Sequence, residues 1–581
     1  MCQQPFVNRH VVGPFRGSFW LLSAVMMAAT NGQGWAQTGE SPKATSHIVD
    51  HSLLVATEYP CTWPAYPFPQ FQLTHQRMIG PDSAFNIDVI LIDGNTGTQL
   101  DVPPHSVARP DLNRPKSGPL GLAYTDKIAA WQFGGEACVI DIRDLLDQAP
   151  KGVSPLATPA HVKRFEASHR PLRFGDVALF RSDYSDKFYR PFPEGSHFLA
   201  DVLDRKVPGY PDPDPDCMEY LATRGVMAVG TDSPSLGPMP TLAEPTHYAG
   251  LRHGMIWTES ATNLGAIPDT GAYYCMLGPR HKDGPYSECR AFSIVGGELP
   301  KRLIESSKNK QAVDLSPVLA ANLPLTSPGR LSGQHRQVYL KIDFLYSEYL
   351  DLWHHGHLMD ASAGTHLVPP SYALPPEGAN PAYAPEIRGW LTEYEQKFGP
   401  RGISSMTTEK VPLDWTCGPA RVIDVRSLVG STDSKSWPAS PVITAELIKG
   451  FEQRSGGLQS GEIVIFHTGH LDRHLKPLPN ESGVWADPLA GKSEGWPAPS
   501  AEAIVYLKNK GIRCVATDAP DLGGVNPREA LATYWALGSR EMVGIEFLNN
   551  VGNAPEGGYF LFAPLKIRDC HAGPGRAIVL K

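Results

Sequence analysis

The chain repeats itself. Segments of its first half return in the same order roughly 285 residues later, so the second half is bound to the fold of the first. Cys138–Leu146 (CVIDIRDLL) answers Arg421–Val429 (RVIDVRSLV). Gly175–Phe180 (GDVALF) answers Gly461–Phe466 (GEIVIF), a β-branched run suited to a buried strand. Tyr220–Gly225 (YLATRG) leads into a short apolar run ending at Thr231–Asp232, and Tyr506–Gly511 (YLKNKG) does the same before Thr517–Asp518. Each of these reads as a helix, a glycine stop and a strand. Glu259–Asn263 and Glu546–Asn550 then precede similar Gly-containing turns. Any one match would be weak, but a collinear series is a duplication.

At 581 residues the chain is too long for one ordinary core, and the repeat sets the division. Residues 301–335 are rich in Lys, Ser, Pro and Gly and lack a sustained apolar period, so 300–336 is expected to be a linker between domains at 46–299 and 337–581. Within each half, β-branched strands mix with a few helices, an α/β or α+β pattern.

Arg9, His10 and Arg16 precede the apolar run Ser18–Ala29, and small residues follow around Gly34–Ala36. This is the order of a secretory signal peptide over 1–36, and the run is short of the roughly 20 apolar residues a spanning helix needs. A periplasmic or secreted protein with no membrane span after cleavage is expected. The formal charge of -8 is spread along the chain without a basic cluster able to neutralise several phosphates, which argues against nucleic acid. Cys2 falls in the leader. The other eight cysteines, Cys61, Cys138, Cys217, Cys275, Cys289, Cys417, Cys514 and Cys570, contain no Cys-x-x-Cys pair, which leaves disulfides and buried free thiols both open.

The run Asn95–His105 (NTGTQLDVPPH) and its weaker echo Ser362–Tyr372 (SAGTHLVPPSY) carry the chemical signal. Both resemble the H-x-G-T-H-x-D-x-P-x-H signature of the cyclase family, which includes bacterial kynurenine formamidases and isatin hydrolases. The resemblance covers nearly all of both halves. It implies an α/β fold of the swivelling β/β/α type in two copies, arranged as a pseudo-dimer within one chain, since family members commonly pair with their active sites near the subunit contact.

The resemblance also implies a site. Its signature supplies two His and an Asp to a divalent metal, with the last His as a base. A downstream His, and a Glu twelve residues after it, complete a second metal position. Here the two His become Asn95 and Gln99, while Asp101 and His105 remain. His247 and Glu259 keep the twelve-residue spacing. One metal position has thus become amide-lined, and Asp101, His247 and Glu259 preserve the other. Gly97 permits a tight turn, and Pro103 and Pro104 are expected to forbid a helix, leaving Asp101 and His105 on an extended turn. His247 is expected on a short helix, 245–252, and Glu259 at the end of a strand over 255–259.

One imidazole and two carboxylates suit a single Zn or Mn, with amide oxygens of Gln99 or Asn95 tilting the set toward the harder ion. Such an ion would yield a hydroxide near neutral pH, and His105 would move the proton. The expected activity is metal-dependent hydrolysis of a small-molecule amide, cyclic amide or lactone. The alternatives are a non-catalytic binding protein on the same fold and a metal-dependent lyase or cyclase. Association into a homo-oligomer is left open. Trp63 and the pair Trp131 and Phe133 are candidate pocket aromatics.

In the second half the ligand positions read Ser362, His366, Val368 and Tyr372, with Tyr534 downstream, so only His366 and Glu546 survive. That half is expected to be structural. His354, His355, His357 and Asp360 lie near His366 and form either a metal cluster or a solvated or interface one. His467 and His470 fix no site.

Overall fold

The computed structural model describes residues 46–81, 83–327, 338–479 and 482–581; the expected leader lies outside them. Each half builds one large sheet. In the first, the strands run in the order His47–Asp50, Arg290–Val295, Tyr273–Leu277, Gly134–Asp141, Asp176–Arg181, Ala228–Thr231, Ile256–Glu259, Gln99–Asp101 and Tyr286–Glu288. The contiguous runs from Gly134–Asp141 to Ile256–Glu259 pair in parallel, which explains their unbroken apolar character: both faces are covered. The second half repeats this order from Ala312–Asp314 to Tyr559–Pro564, and its strand Gly573–Leu580 closes the ring by bonding to both His366–Val368 and Tyr559–Pro564.

The duplication extends to single residues. Thr98 Oγ1 donates to the Ser260 carbonyl, and Thr365 Oγ1 to that of Phe547. Ser260 and Phe547 are both left-handed, at φ 57° and 65°. Arg290 pairs with Asp50 and donates to the Pro564 carbonyl of the other half; Arg576 pairs with Asp314 and donates to the Thr125 carbonyl.

A third sheet joins the halves. Its order is Tyr339–Ser347, Leu352–Asp360, Ile87–Asp93 and Gln72–Arg77, two strands from each half. At its centre Ile92 pairs with His357, Leu91 with Leu358 and Ile90 with Met359. The repeat aligns Ile90 with His357, Leu91 with Leu358 and Ile92 with Met359, so the strand pairs with its own copy in a self-complementary register. One apolar cluster also spans both halves, bringing Tyr273 and Phe292 together with Cys417, Leu561 and Ile578.

Three expectations change. The stretch read as linker begins with a helix, Leu299–Lys308, and a strand, Ala312–Asp314, that joins the second sheet. Leu303 and Ile304 bury one face of that helix, and so few apolar positions among Lys, Arg and Glu gave no visible period. Pro103 and Pro104 do not prevent helical structure but open a 3-10 turn, Pro103–His105, where their missing N–H groups cost nothing. All eight described cysteines are buried free thiols, so the disulfide option falls. Among the described residues no helix is long and apolar enough to cross a membrane.

Candidate active site

Three neighbouring elements deliver the retained residues to one point. Gly97, at φ 67°, turns the chain into the short strand Gln99–Asp101, which pairs antiparallel with Ile256–Glu259. The register sets Asp101 opposite Trp257, and Gln99 opposite Glu259. His247 descends from the helix Ala243–Leu251, and His105 ends the 3-10 turn that follows Asp101.

His247 Nε2 lies 3.6 Å from Asp101 Oδ2 and 3.4 Å from Glu259 Oε1, and His105 Nε2 lies 3.7 Å from Asp101 Oδ2. Trp257 Nε1 donates to both carboxylates at 3.2 Å, fixing their spacing. The Leu236 amide also donates to Glu259 Oε1, at 2.6 Å. His247 Nδ1 donates to the Ala243 carbonyl at 2.8 Å, which leaves Nε2 facing the two carboxylates.

The electrostatics ask for a cation. Burial opposes charge on His247, yet Asp101 and Glu259 outweigh it and hold the ring well above its usual pKa. Burial and then the Asp101 charge raise the Glu259 carboxyl. Burial and then His247 push His105 down to about 3. Asp101 Oδ1 and His105 Nδ1 are buried without hydrogen-bond partners. An orphaned carboxylate oxygen, a second carboxylate and an imidazole nitrogen that can give up its proton to an ion fit a divalent ion of the zinc or manganese kind. Asp101, His105 and His247 have ligating atoms within 4.8 Å of one another, so His105 is a further donor beside Glu259.

The amides behave differently. Gln99 Nε2 donates to Glu259 Oε2 at 2.6 Å, so its amide nitrogen buttresses that carboxylate. Asn95 interacts with Tyr286 and, with Gln99, Cys61 and Trp63, lines a narrow crevice beside the site. Trp63 therefore borders the amide side. Phe133 is a core residue beneath the Arg576 guanidinium and Trp131 packs on Phe174; neither lines the cavity at His105 and His247.

His105, Ser106, Lys116, Glu244 and His247 open onto a cavity of about 470 Å³. Its other wall comes from the second half: Ser347, Tyr349, Leu350 and His354 at the turn of the hairpin 339–360. His354 stacks on Tyr286 (5.6 Å between centroids) and stands edge-on to His105 (5.9 Å). Sequence reasoning missed this wall, because only the pairing of Ile87–Asp93 with Leu352–Asp360 carries the hairpin there. Nor does the proposed cluster of His354, His355, His357, Asp360 and His366 form: alternate strand residues face opposite ways, and His357 stacks on His281 of the first half.

The equivalent place in the second half is filled. His366 Nε2 lies 3.3 Å from Glu546 Oε2, and the Tyr534 hydroxyl donates to Glu546 Oε1 at 2.6 Å. Val368 replaces the shared aspartate. Phe85, from the first half, packs on Tyr372 and Tyr534 with centroids 4.9 and 5.4 Å away. His467 faces Asp518 at 3.8 Å, and His470 packs on Trp496.

Residues 41–238 and 313–523 match the family model described as Cyclase, "Putative cyclase". The chain belongs to the cyclase family. The isatin hydrolase of Roseibium aggregatum is 29% identical over 237 residues, covering 36% of this chain and 86% of the relative. The kynurenine formamidase of Salinibacter ruber is 26% identical over 236 residues, covering 41% and 86%. Among solved structures, isatin hydrolase A from Labrenzia aggregata bound to benzyl benzoate aligns with 43% of this chain and 94% of its own, at 21% identity and a TM-score of 0.36. Each sequence relative thus corresponds to less than half of this cyclase-family chain, which holds two matched regions.

Proposed function

We propose that this cyclase-family protein is a metal-dependent hydrolase working from its first half, and that it opens an amide, cyclic amide or lactone. The observation that carries this reading is the convergence of His247 Nε2 on Asp101 and Glu259, 3.6 and 3.4 Å away, beside an orphaned Asp101 oxygen. Asp101, His247 and Glu259 hold one divalent ion, Zn or Mn. Such an ion, when bound, polarises a carbonyl and lowers the pKa of a water.

The protein's residues do the rest. Trp257 and Gln99 keep the carboxylates in place. His105, neutral and one turn from Asp101, takes a proton at Nε2 and returns it to the leaving nitrogen or oxygen. His354, backed by the buried Tyr286, and Tyr349 give a flat substrate an aromatic wall, and the hairpin tip excludes water from one side. Relatives named for isatin and for kynurenine formamide make small aromatic amides the first substrates to try.

The two halves, the second beginning at the strand Ala312–Asp314, stand in for the two subunits of a family dimer, a reading supported by the self-complementary register around Leu91 and Leu358. The protein acts in the periplasm or outside the cell after loss of residues 1–36. Hydrolysis of isatin, N-formylkynurenine and a lactone panel, assayed with zinc and with manganese, tests the activity. Turnover that chelation and Asp101→Ala each reduce at least about a hundredfold is expected; no turnover with either metal would overturn the reading.

A further inference from the structure

A second cluster of metal-binding groups lies at the junction of the halves. His281 and Glu288 of the first half meet His357 of the second, with their ligating atoms within 4.8 Å of one another and all three residues buried. His281 Nε2 is 2.9 Å from Glu288 Oε1, a little inside the roughly 3.4 Å between donors bound at about 2.1 Å to a tetrahedral ion, so the pair spreads slightly to take one. His281 Nδ1 meets the Tyr339 hydroxyl at 2.9 Å, and that hydroxyl also donates to the Leu319 carbonyl, so Nδ1 carries a hydrogen and Nε2 is the atom turned toward the carboxylate. At this distance either a shared proton or a metal ion lies between the two atoms.

Two further atoms are unaccounted for. Glu288 Oε2 and His357 Nδ1 are buried without a hydrogen-bond partner, as is Asp93 Oδ2 nearby. Burial raises the Asp93 carboxyl to about 7, and the Glu288 charge adds to the rise. Orphaned polar atoms of this kind in a packed interior call for a water or an ion.

The duplication supplies a control within the same molecule. The unbroken alignment of Gly271–Ile294 with Gly557–Leu580 sets Ile567 at the place of His281 and Pro574 at that of Glu288, and Ile90 matches His357. Ile567 and Ile90 are fully buried, so at the related position the fold is content with apolar packing. The polar triad is therefore an addition that the architecture does not require.

We propose that His281, Glu288 and His357 form a structural site for a zinc-class divalent cation that clamps the two halves together. Two imidazoles and one carboxylate suit that borderline-soft ion. His281 and His357 stack nearly parallel, 3.8 Å apart at 9°, and an imidazole binds metal in its own plane. One ring must therefore turn about its Cβ–Cγ bond when both bind.

Zinc content and thermal unfolding of the full chain carrying Asp101→Ala, which disables the catalytic centre, test the proposal. About one equivalent of zinc and a rise of several degrees in Tm with added zinc are expected. In the same background H281I/H357I, which installs the isoleucines found at the related place (Ile567 and Ile90), should bind none and lose the response; the near-isosteric Glu288→Gln should bind at least about tenfold more weakly. Absence of zinc from the Asp101→Ala chain, or the same zinc content with and without these substitutions, would overturn the site. Failure of the catalytic reading looks different: the parent chain would lose no metal on Asp101→Ala.

Discussion

Asp101 and Glu259 share a donor, Trp257 Nε1, and the site depends on it. Trp257→Phe keeps most of the packing volume but leaves two buried carboxylates short of a hydrogen bond. Metal affinity should fall about tenfold to a hundredfold, measured by competition with a chelator; unchanged affinity would show that Trp257 only packs. The residues of this site were largely legible, because the spacing from Asn95 to His105 and from His247 to Glu259 survives in sequence. The turn of Gln99 from ligand to buttress was not, since it follows from the cross-strand register that sets Gln99 opposite Glu259. Likewise His357 could not be matched with His281, because the contact depends on two strands pairing across the halves.

At the level of elements, the hairpin 339–360 and the segment preceding Ile87–Asp93 exchange roles across the molecule. The hairpin turn walls the first-half cavity, while Phe85 plugs the lost site of the second half. Tyr349→Ala should raise KM about tenfold with little change in kcat, because it removes binding surface and no reacting group. Phe85→Ala should cost about 2–3 kcal/mol in denaturant unfolding and leave kcat unaltered; a fall in kcat would place the second half in the chemistry. The strands and helices of the repeat could be read from their apolar runs and glycine stops. The helix Leu299–Lys308 was hidden because its buried face rests on so few apolar residues.

Across the whole molecule, paired charges tie the halves. Burial alone would raise the Asp50 carboxyl, but Arg290 of the first half and Lys566 of the second bring it down to about 2. A carboxyl depressed in the folded state stabilises it fully above the unfolded value near 4, and that contribution is lost as pH falls toward 2. It amounts to about 2 kcal/mol. The stability of Asp50→Asn, measured against the parent from pH 6 to pH 2, should therefore be lower at pH 6 and converge with it at pH 2; a constant gap would exclude the linkage.

The central claim is one working metal centre and one relic on a duplicated fold. Anomalous diffraction from crystals loaded with manganese locates the ions directly. A peak among Asp101, His247 and Glu259, with none between His366 and Glu546, is the predicted result. A peak in the second half, or none beside Asp101, would contradict it.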